Sequence, residues 1–237
     1  MMSEARQHPA QGIERQDIRI TDIQVTPLSY THDGEYLWRC GGLYVWKADA
    51  ALVQISTDQG VVGIAEGSPY RGPDRLKQYT DRYIRPLLLG ANIFDVDLLT
   101  NNQGHNSTAE GAWAGVNNAL WDAIGKAVGQ PVYRLLSDET SPSNQVRIYA
   151  SGGVCHAWYD KGEEELIEEA LRYKAAGYDT FKFRNGTSWK SSGMTMDQYI
   201  VVLEHLREAV GPDFKLVLEA DKVYKRDDRE SGVRLAR

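Results

Sequence analysis

From about Val146 onward the chain alternates short apolar runs with helix-length amphipathic segments, and this alternation narrows the fold more than any other feature. Val146 to Ser151 reads as a short strand. Glu163 to Ala176 reads as a helix, acidic at its start and carrying Lys174 near its end, a charge order that suits the helix dipole. Gly177 stops it. Thr180 to Arg184 is the next strand. Thr195-Met196-Asp197-Gln198 has the pattern of a capping box and opens a helix with Tyr199, Leu203, Leu206 and Val210 on one face, closed by Gly211-Pro212. Phe214 to Asp221 is a third strand, and Ser231 to Arg237 starts a third helix. The order βαβαβα predicts a parallel sheet with right-handed crossovers. Such a sheet needs helices on both faces or closure into a barrel. Three βα units do not close an eight-stranded barrel, so this half is expected to be the beginning of something larger.

Strand side chains alternate between faces. Phe181 and Phe183 therefore lie on one face, and Thr180, Lys182 and Arg184 on the other. By the same parity Leu216 and Leu218 face the helices, while Glu219 and Asp221 face inward with the cations. Buried cations are costly unless paired, and the two strand ends bring cations and carboxylates to one place. Two readings stand at this level: a solvated strand face, or a site at the strand ends, where parallel β/α barrels keep their chemistry.

The first half has a different pattern. Ile18 to Pro27 reads as a strand, Ser29 to Gly42 as a long polar and aromatic loop, and Leu43 to Thr57 as a second extended run. Asp58-Gln59-Gly60 is a turn, and Val61 to Glu66 returns as a third strand, making a β-meander. Pro73 to Leu89 reads as a helix ended by Gly90, and Asp95 to about Asn102 as a shorter one. Within Glu110 to Val128, Trp113, Val116, Leu120, Ile124 and Ala127 recur at spacings of three and four and form one apolar stripe. Gly129 and Pro131 end that helix. Strands followed by helices predict an α+β unit. The expected domains are a loose tail over residues 1–17, an α+β domain over 18–140, and a partial (β/α) barrel over 141–237.

Composition excludes several functions. The net charge of −6 gives no footprint for nucleic acid or an anionic membrane. No apolar run approaches the roughly 20 residues of a membrane span, and Met1 to Gln16 lacks the apolar core of a signal peptide. The two cysteines, Cys40 and Cys155, do not make a disulfide scaffold in 237 residues. The expected compartment is the cytoplasm.

Residues 119–136, Ala-Leu-Trp-Asp-Ala-Ile-Gly-Lys-Ala-Val-Gly-Gln-Pro-Val-Tyr-Arg-Leu-Leu, resemble the signature of the mandelate racemase/muconate lactonizing enzyme family of the enolase superfamily. Thr57 to Glu66 looks like that family's second and third strands. Lys182-Phe183-Arg184 stands where the family carries Lys-x-Lys, and Glu219-Ala220-Asp221 where it carries Asp-Ala-Asn. Val233 to Arg237 fits the helix that follows. The resemblance covers roughly residues 18–237 and implies an α+β capping domain followed by an incomplete α/β barrel of the enolase type, in a chain shortened at its C-terminal end. It also implies Mg²⁺ and removal of the proton α to a carboxylate, a first step shared by racemases, cycloisomerases and acid-sugar dehydratases. A C–H beside a carboxylate is a very weak acid, so catalysis must stabilise developing charge with a divalent cation and fixed positive groups.

Carried over by position, Lys182 resembles the lysine that binds the substrate carboxylate. Arg184 replaces a lysine that often serves as general base. Arginine stays protonated and is a poor base, so here it is expected to clamp an oxyanion or hold a neighbouring group. Glu219 takes the first metal-ligand position with one more methylene than the usual aspartate, and Asp221 replaces an asparagine. His32 and Trp38 lie where the family's capping domain contacts substrate. None of the five histidines (His8, His32, His105, His156, His205) stands at a late barrel strand; His205 reads as a surface or packing residue, and His156 follows the first barrel strand. Glu66 reads as structural. The expected activity is acid-sugar dehydration on a small carboxylate substrate, in a chain that resembles often oligomeric proteins. The alternatives are racemisation or cycloisomerisation, or an inactive fragment or half of a split barrel. Arg184 weighs against a two-base racemase, which needs a competent base on each face of the carbon.

Overall fold

The structure, a computed structural model, describes residues 12–32, 38–40, 43–69, 72–95, 107–137, 139, 141–153, 162–184 and 195–219, with the backbone alone at 38–40, 43–45 and 184. The chain divides into two compact units: Met1–Tyr30 with Ala48–Gln145, and Thr31–Lys47 with Val146–Arg237.

Strand β1 (Ile20–Thr31) extends four residues past the expected Pro27. Between it and the next long strand lies a hairpin, β2 (Trp38–Cys40) and β3 (Leu43–Val45), paired antiparallel in the register Trp38↔Val45, Arg39↔Tyr44, Cys40↔Leu43. The expected long loop over Ser29 to Gly42 is therefore part strand. Strand β4 (Lys47–Thr57) and β5 (Val62–Gly67) then pair antiparallel, and the sheet order in the first unit is β1-β4-β5. Their turn is held by Thr57 N–H on the Val61 carbonyl (3.1 Å), with Gly60 at φ 76°.

The helix expected from Pro73 to Leu89 is present but not uniform. It comprises α1 (Pro73–Tyr79), a π-helical turn over Thr80–Ile84, and α2 (Arg85–Leu88). Pro86 accounts for the wide turn. It has no N–H to donate, and its ring displaces the carbonyl four residues back; the Arg85 N–H reaches the Thr80 carbonyl instead. After the 3₁₀ turn Ile93–Asp95, most of the short helix expected from Asp95 lies outside the described residues. Helix α3 (Ser107–Val128) is the expected long helix, and α4 (Val132–Leu135) is one turn after Pro131.

Helix α3 lies against β5 at backbone distance. Its small residues Gly111, Gly115, Ala119 and Ala123 recur every fourth position on the buried side. A Cβ on Gly63 would come 2.0 Å from the Ala119 carbonyl oxygen, and one on Gly115 would come 2.7 Å from the Gly67 Cα. The same helix covers the free edge of β5. The Asp122 Oδ2 accepts from Ile64 N–H (2.7 Å) and from Lys126 Nζ (2.7 Å), and Lys126 Nζ also donates to the Val62 carbonyl (2.8 Å). Edge groups paired in this way offer no template to another chain. The core collects Ile20, Ile23, Val53, Ile55, Ile84, Leu88, Val116, Leu120 and Ile124.

Arg85 Nε also donates to Asp22 Oδ1 (2.7 Å), tying α2 to β1. That hydrogen bond is the main reason the Asp22 carboxyl sits below its ordinary range; Gln24 and the Ile23 N–H add to it, and burial opposes it. A depressed carboxylate contributes stability above its unfolded pKa and loses it as the pH falls through the folded value. Arg85→Gln is therefore expected to be less stable than the wild type at pH 7, with the gap closing below about pH 4. Urea unfolding at both pH values checks this; an equal gap at both would remove the charge pair as its cause.

The second unit is a parallel sheet with crossover helices: β6 (Ala150–Gly152), α5 (Glu163–Ala175), β7 (Thr180–Arg184), α6 (Met196–Val210) and β8 (Lys215–Glu219), in the order β6-β7-β8. Strand β6 begins four residues later than expected, and Val146, Ile148 and Tyr149 are exposed. They precede the stretch that pairs with β7, which starts at Ala150↔Phe181. The Thr195 capping box is present, with Gln198 N–H on Thr195 Oγ1 (3.2 Å) and Thr195 N–H on Gln198 Oε1 (2.8 Å). Phe181 and Phe183 are fully buried and stacked at 5.4 Å, over Leu166, Ala170, Tyr199, Val202 and Leu206. The helix expected from Ser231 lies outside the described residues.

Among the described residues no helix is long and apolar enough to cross a membrane.

Candidate functional site

Parity and register together build the site. With Phe181 and Phe183 turned to the helices, Thr180 and Lys182 belong to the opposite face of β7. The register sets Lys182 beside Ser151 on β6 and Val217 on β8, and sets Arg184 beside Glu219 one row further on. Lys182 Nζ forms an ion pair with Glu219 Oε2, reaching diagonally from its own row to the next. The side chains are 18% and 30% exposed, while Ser151 and Val217 beside them are open. Lys182 is thus not a freely solvated strand-face lysine. Its ammonium is drawn down onto a carboxylate that offsets the cost of partial burial. Glu219 is the last residue of β8, and Lys182, two residues before the end of β7, reaches it from the row below.

The other expected site residues fall as follows. His32 is half-buried just past β1, and its N–H donates to the Trp46 carbonyl (2.9 Å). Trp38 starts β2, opposite Val45. Both belong to the segment 31–47, in the same compact unit as the parallel sheet. The Arg184 backbone pairs with Glu219; its side chain, that of Trp38, and Asp221 lie outside the described residues. His205, on an exposed face of α6, bonds Glu163 Oε1 through Nδ1 (2.6 Å).

One residue beside this sheet escapes the sequence reading. Glu169 on α5 is buried. Its Oε2 accepts from Gly153 N–H (2.8 Å), and its Oε1 accepts from the Tyr173 hydroxyl (3.2 Å). Burial, and then the neighbouring Glu169 charge, push the Tyr173 phenol above its ordinary value. The signal was available, because Leu166, Glu169, Ala170 and Tyr173 share the three-and-four spacing of the helix's inner face.

A cleft of about 300 Å³ lies elsewhere, in the first unit, where Asp122, Lys126 and Pro131 line the C-terminal end of α3. Its charged groups are already spent on β5 and on each other, so it adds no chemistry. Among the described residues no three His, Cys, Asp or Glu side chains are grouped to hold a metal ion.

Residues 43–137 match the family described as mandelate racemase/muconate lactonizing enzyme, N-terminal domain. Arabinonate dehydratase of Saccharolobus solfataricus is 28% identical over 226 residues, a match covering 91% of this chain and 58% of that protein. D-xylonate dehydratase of Haloferax volcanii is 27% identical over 222 residues, covering 86% of this chain and 47% of that protein. The crystal structure of a member of the enolase superfamily from Polaromonas sp. JS666 superposes with a TM-score of 0.73 at 28% identity, over 92% of this chain and 56% of that one. The chain spans about half the length of the relatives it matches. Its architecture is an α+β capping domain followed by part of a (β/α) barrel. The capping-domain match, the relatives and this architecture agree: residues 43–137 match the mandelate racemase/muconate lactonizing enzyme N-terminal domain, and the chain is similar to members of the enolase superfamily.

Proposed function

We propose that this chain supplies the capping domain and the first barrel strands of a cytoplasmic acid-sugar dehydratase. The observation that carries the reading is the Lys182–Glu219 pair, which joins adjacent parallel strands beside the end of β8, in a chain whose relatives include two sugar-acid dehydratases. In this reading Lys182 exchanges Glu219 for the carboxylate of the substrate, holding it by a charge-assisted hydrogen bond. Arg184 holds the oxyanion that develops as the α-proton leaves, since it cannot itself take that proton at neutral pH. His32 and Trp38 contact the sugar chain. Loss of the α-proton and of the β-hydroxyl as water converts a 2,3-dihydroxy acid into an enol, which becomes the 2-oxo-3-deoxy acid.

Magnesium enters this reading through the family. Mg²⁺ takes about six oxygens in octahedral geometry. The described residues offer Glu219 on this face, already bonded to Lys182, and no larger ligand group. They do not make up a Mg²⁺ site; Asp221 and carboxylates beyond them would have to contribute.

The test is turnover of arabinonate, xylonate and galactonate by the natural polypeptide with Mg²⁺, reading formation of a 2-oxo acid. No product from any aldonate overturns the proposal. Running the assay in D₂O separates it from racemisation, which deuterates the α-carbon of recovered substrate without net loss of water.

A further inference from the structure

We infer that Glu169 is a positioning residue, which through Gly153 and Phe183 sets the strand end on which Lys182 stands. A carboxyl group on the inner face of a helix is costly in an apolar core unless it is bonded, and a leucine there would continue the stripe at lower cost. What Glu169 adds is geometry. Its Oε2 takes the Gly153 N–H at 2.8 Å, a residue just past the end of β6. Its Oε1 occupies the space of a Gly152 side chain, since a Cβ there would lie 2.2 Å away. Gly153 itself is left-handed, at φ 56°, and a Cβ on it would meet Phe183 Cβ at 2.8 Å and Leu166 Cδ1 at 2.7 Å. Two successive glycines thus make room, one for the Glu169 carboxyl group and the other for Phe183.

The consequence reaches the site through the ladder. Gly152 is in register with Phe183 and Ser151 with Lys182. If Gly153 is released, the chain can lift away from Phe183, and with it goes the constraint on the neighbouring Lys182. The inference rests on reading Lys182 as a site residue, but not on which reaction it serves.

The experiment measures geometry without turnover. In the 237-residue chain, the coupling between Lys182 and Glu219 is obtained from a double-mutant cycle on unfolding (Lys182→Ala, Glu219→Ala). It is repeated in Glu169→Ala, Glu169→Gln and Gly152→Ala backgrounds, together with amide exchange at Gly153. Glutamine keeps an acceptor oxygen, so the coupling is expected to survive in Glu169→Gln. It is expected to vanish in Glu169→Ala, with Gly153 exchange about tenfold faster, and in Gly152→Ala, whose methyl displaces the carboxyl group. Coupling retained in Glu169→Ala or Gly152→Ala, or lost in Glu169→Gln, overturns the inference. So does an absence of coupling in the wild type. A purely structural role lowers overall stability and leaves the coupling unchanged. If Glu169→Ala does not fold, the other two variants decide. Absence of dehydratase activity would leave this result standing.

Discussion

Gly63→Ala is expected to destabilise the first unit by about 3 kcal/mol, at the upper end of the usual cost of overpacking. One methyl group is the whole change, so the size of the effect comes from where it lands. The new Cβ would meet the Ala119 carbonyl oxygen at 2.0 Å, with the Ala123 Cβ at 2.9 Å and its backbone nitrogen at 3.0 Å. Helix backbone cannot turn aside as a flexible side chain can, so α3 and β5 must part. Parting them also stretches the bonds from Asp122 to Ile64 and from Lys126 to Val62. Gly60→Ala is the control. Nothing lies within 4 Å of a Cβ there, and the residue is held only at φ 76°, which costs a non-glycine residue about 1–2 kcal/mol. Urea unfolding followed by the fluorescence of Trp113 and Trp121, both buried on α3, compares the two. Equal losses would mean that the close approach of helix and strand is not what Gly63 secures.

That close approach shows where sequence reading succeeds and where it stops. Helix α3 is readable because its apolar stripe has the helical period over its whole length. Its seat on β5 is not, because a glycine carries no hydropathy signal and Gly63 reads as one more small residue in a strand. The Lys182–Glu219 pair is readable from alternation and from strand order, two properties that survive without coordinates. The β2–β3 hairpin is not, since its strands are three residues each, too short for a period to emerge, and Gly41-Gly42 reads equally as loop. Glu169 is hidden for a different reason. A glutamate among Glu163, Glu164, Glu165 and Glu168 looks like one more solvated charge, and only its phase on the helix sets it apart.

In the natural polypeptide, Lys182→Ala is expected to lower kcat/KM on an acid sugar by about a thousandfold, the scale of removing one fixed positive group from an anion-stabilising site. Its effect on stability is expected to be small. The partner left behind, Glu219, is 30% exposed and can turn to water, so the loss should stay at or below about 1 kcal/mol, as for other accessible ion pairs. The separation of the two effects is the point of the measurement. A structural ion pair shows the reverse pattern, with activity falling only as far as stability does. Lys182→Arg sharpens the comparison. It keeps the charge and the bond to Glu219 but replaces a compact ammonium with a wider planar fork, so it should hold the fold and recover only part of the activity. If Lys182→Ala retained activity within tenfold of the wild type, the ammonium would not be holding the substrate, and the strand-end face would revert to the reading in which it is simply a paired, partly solvated edge.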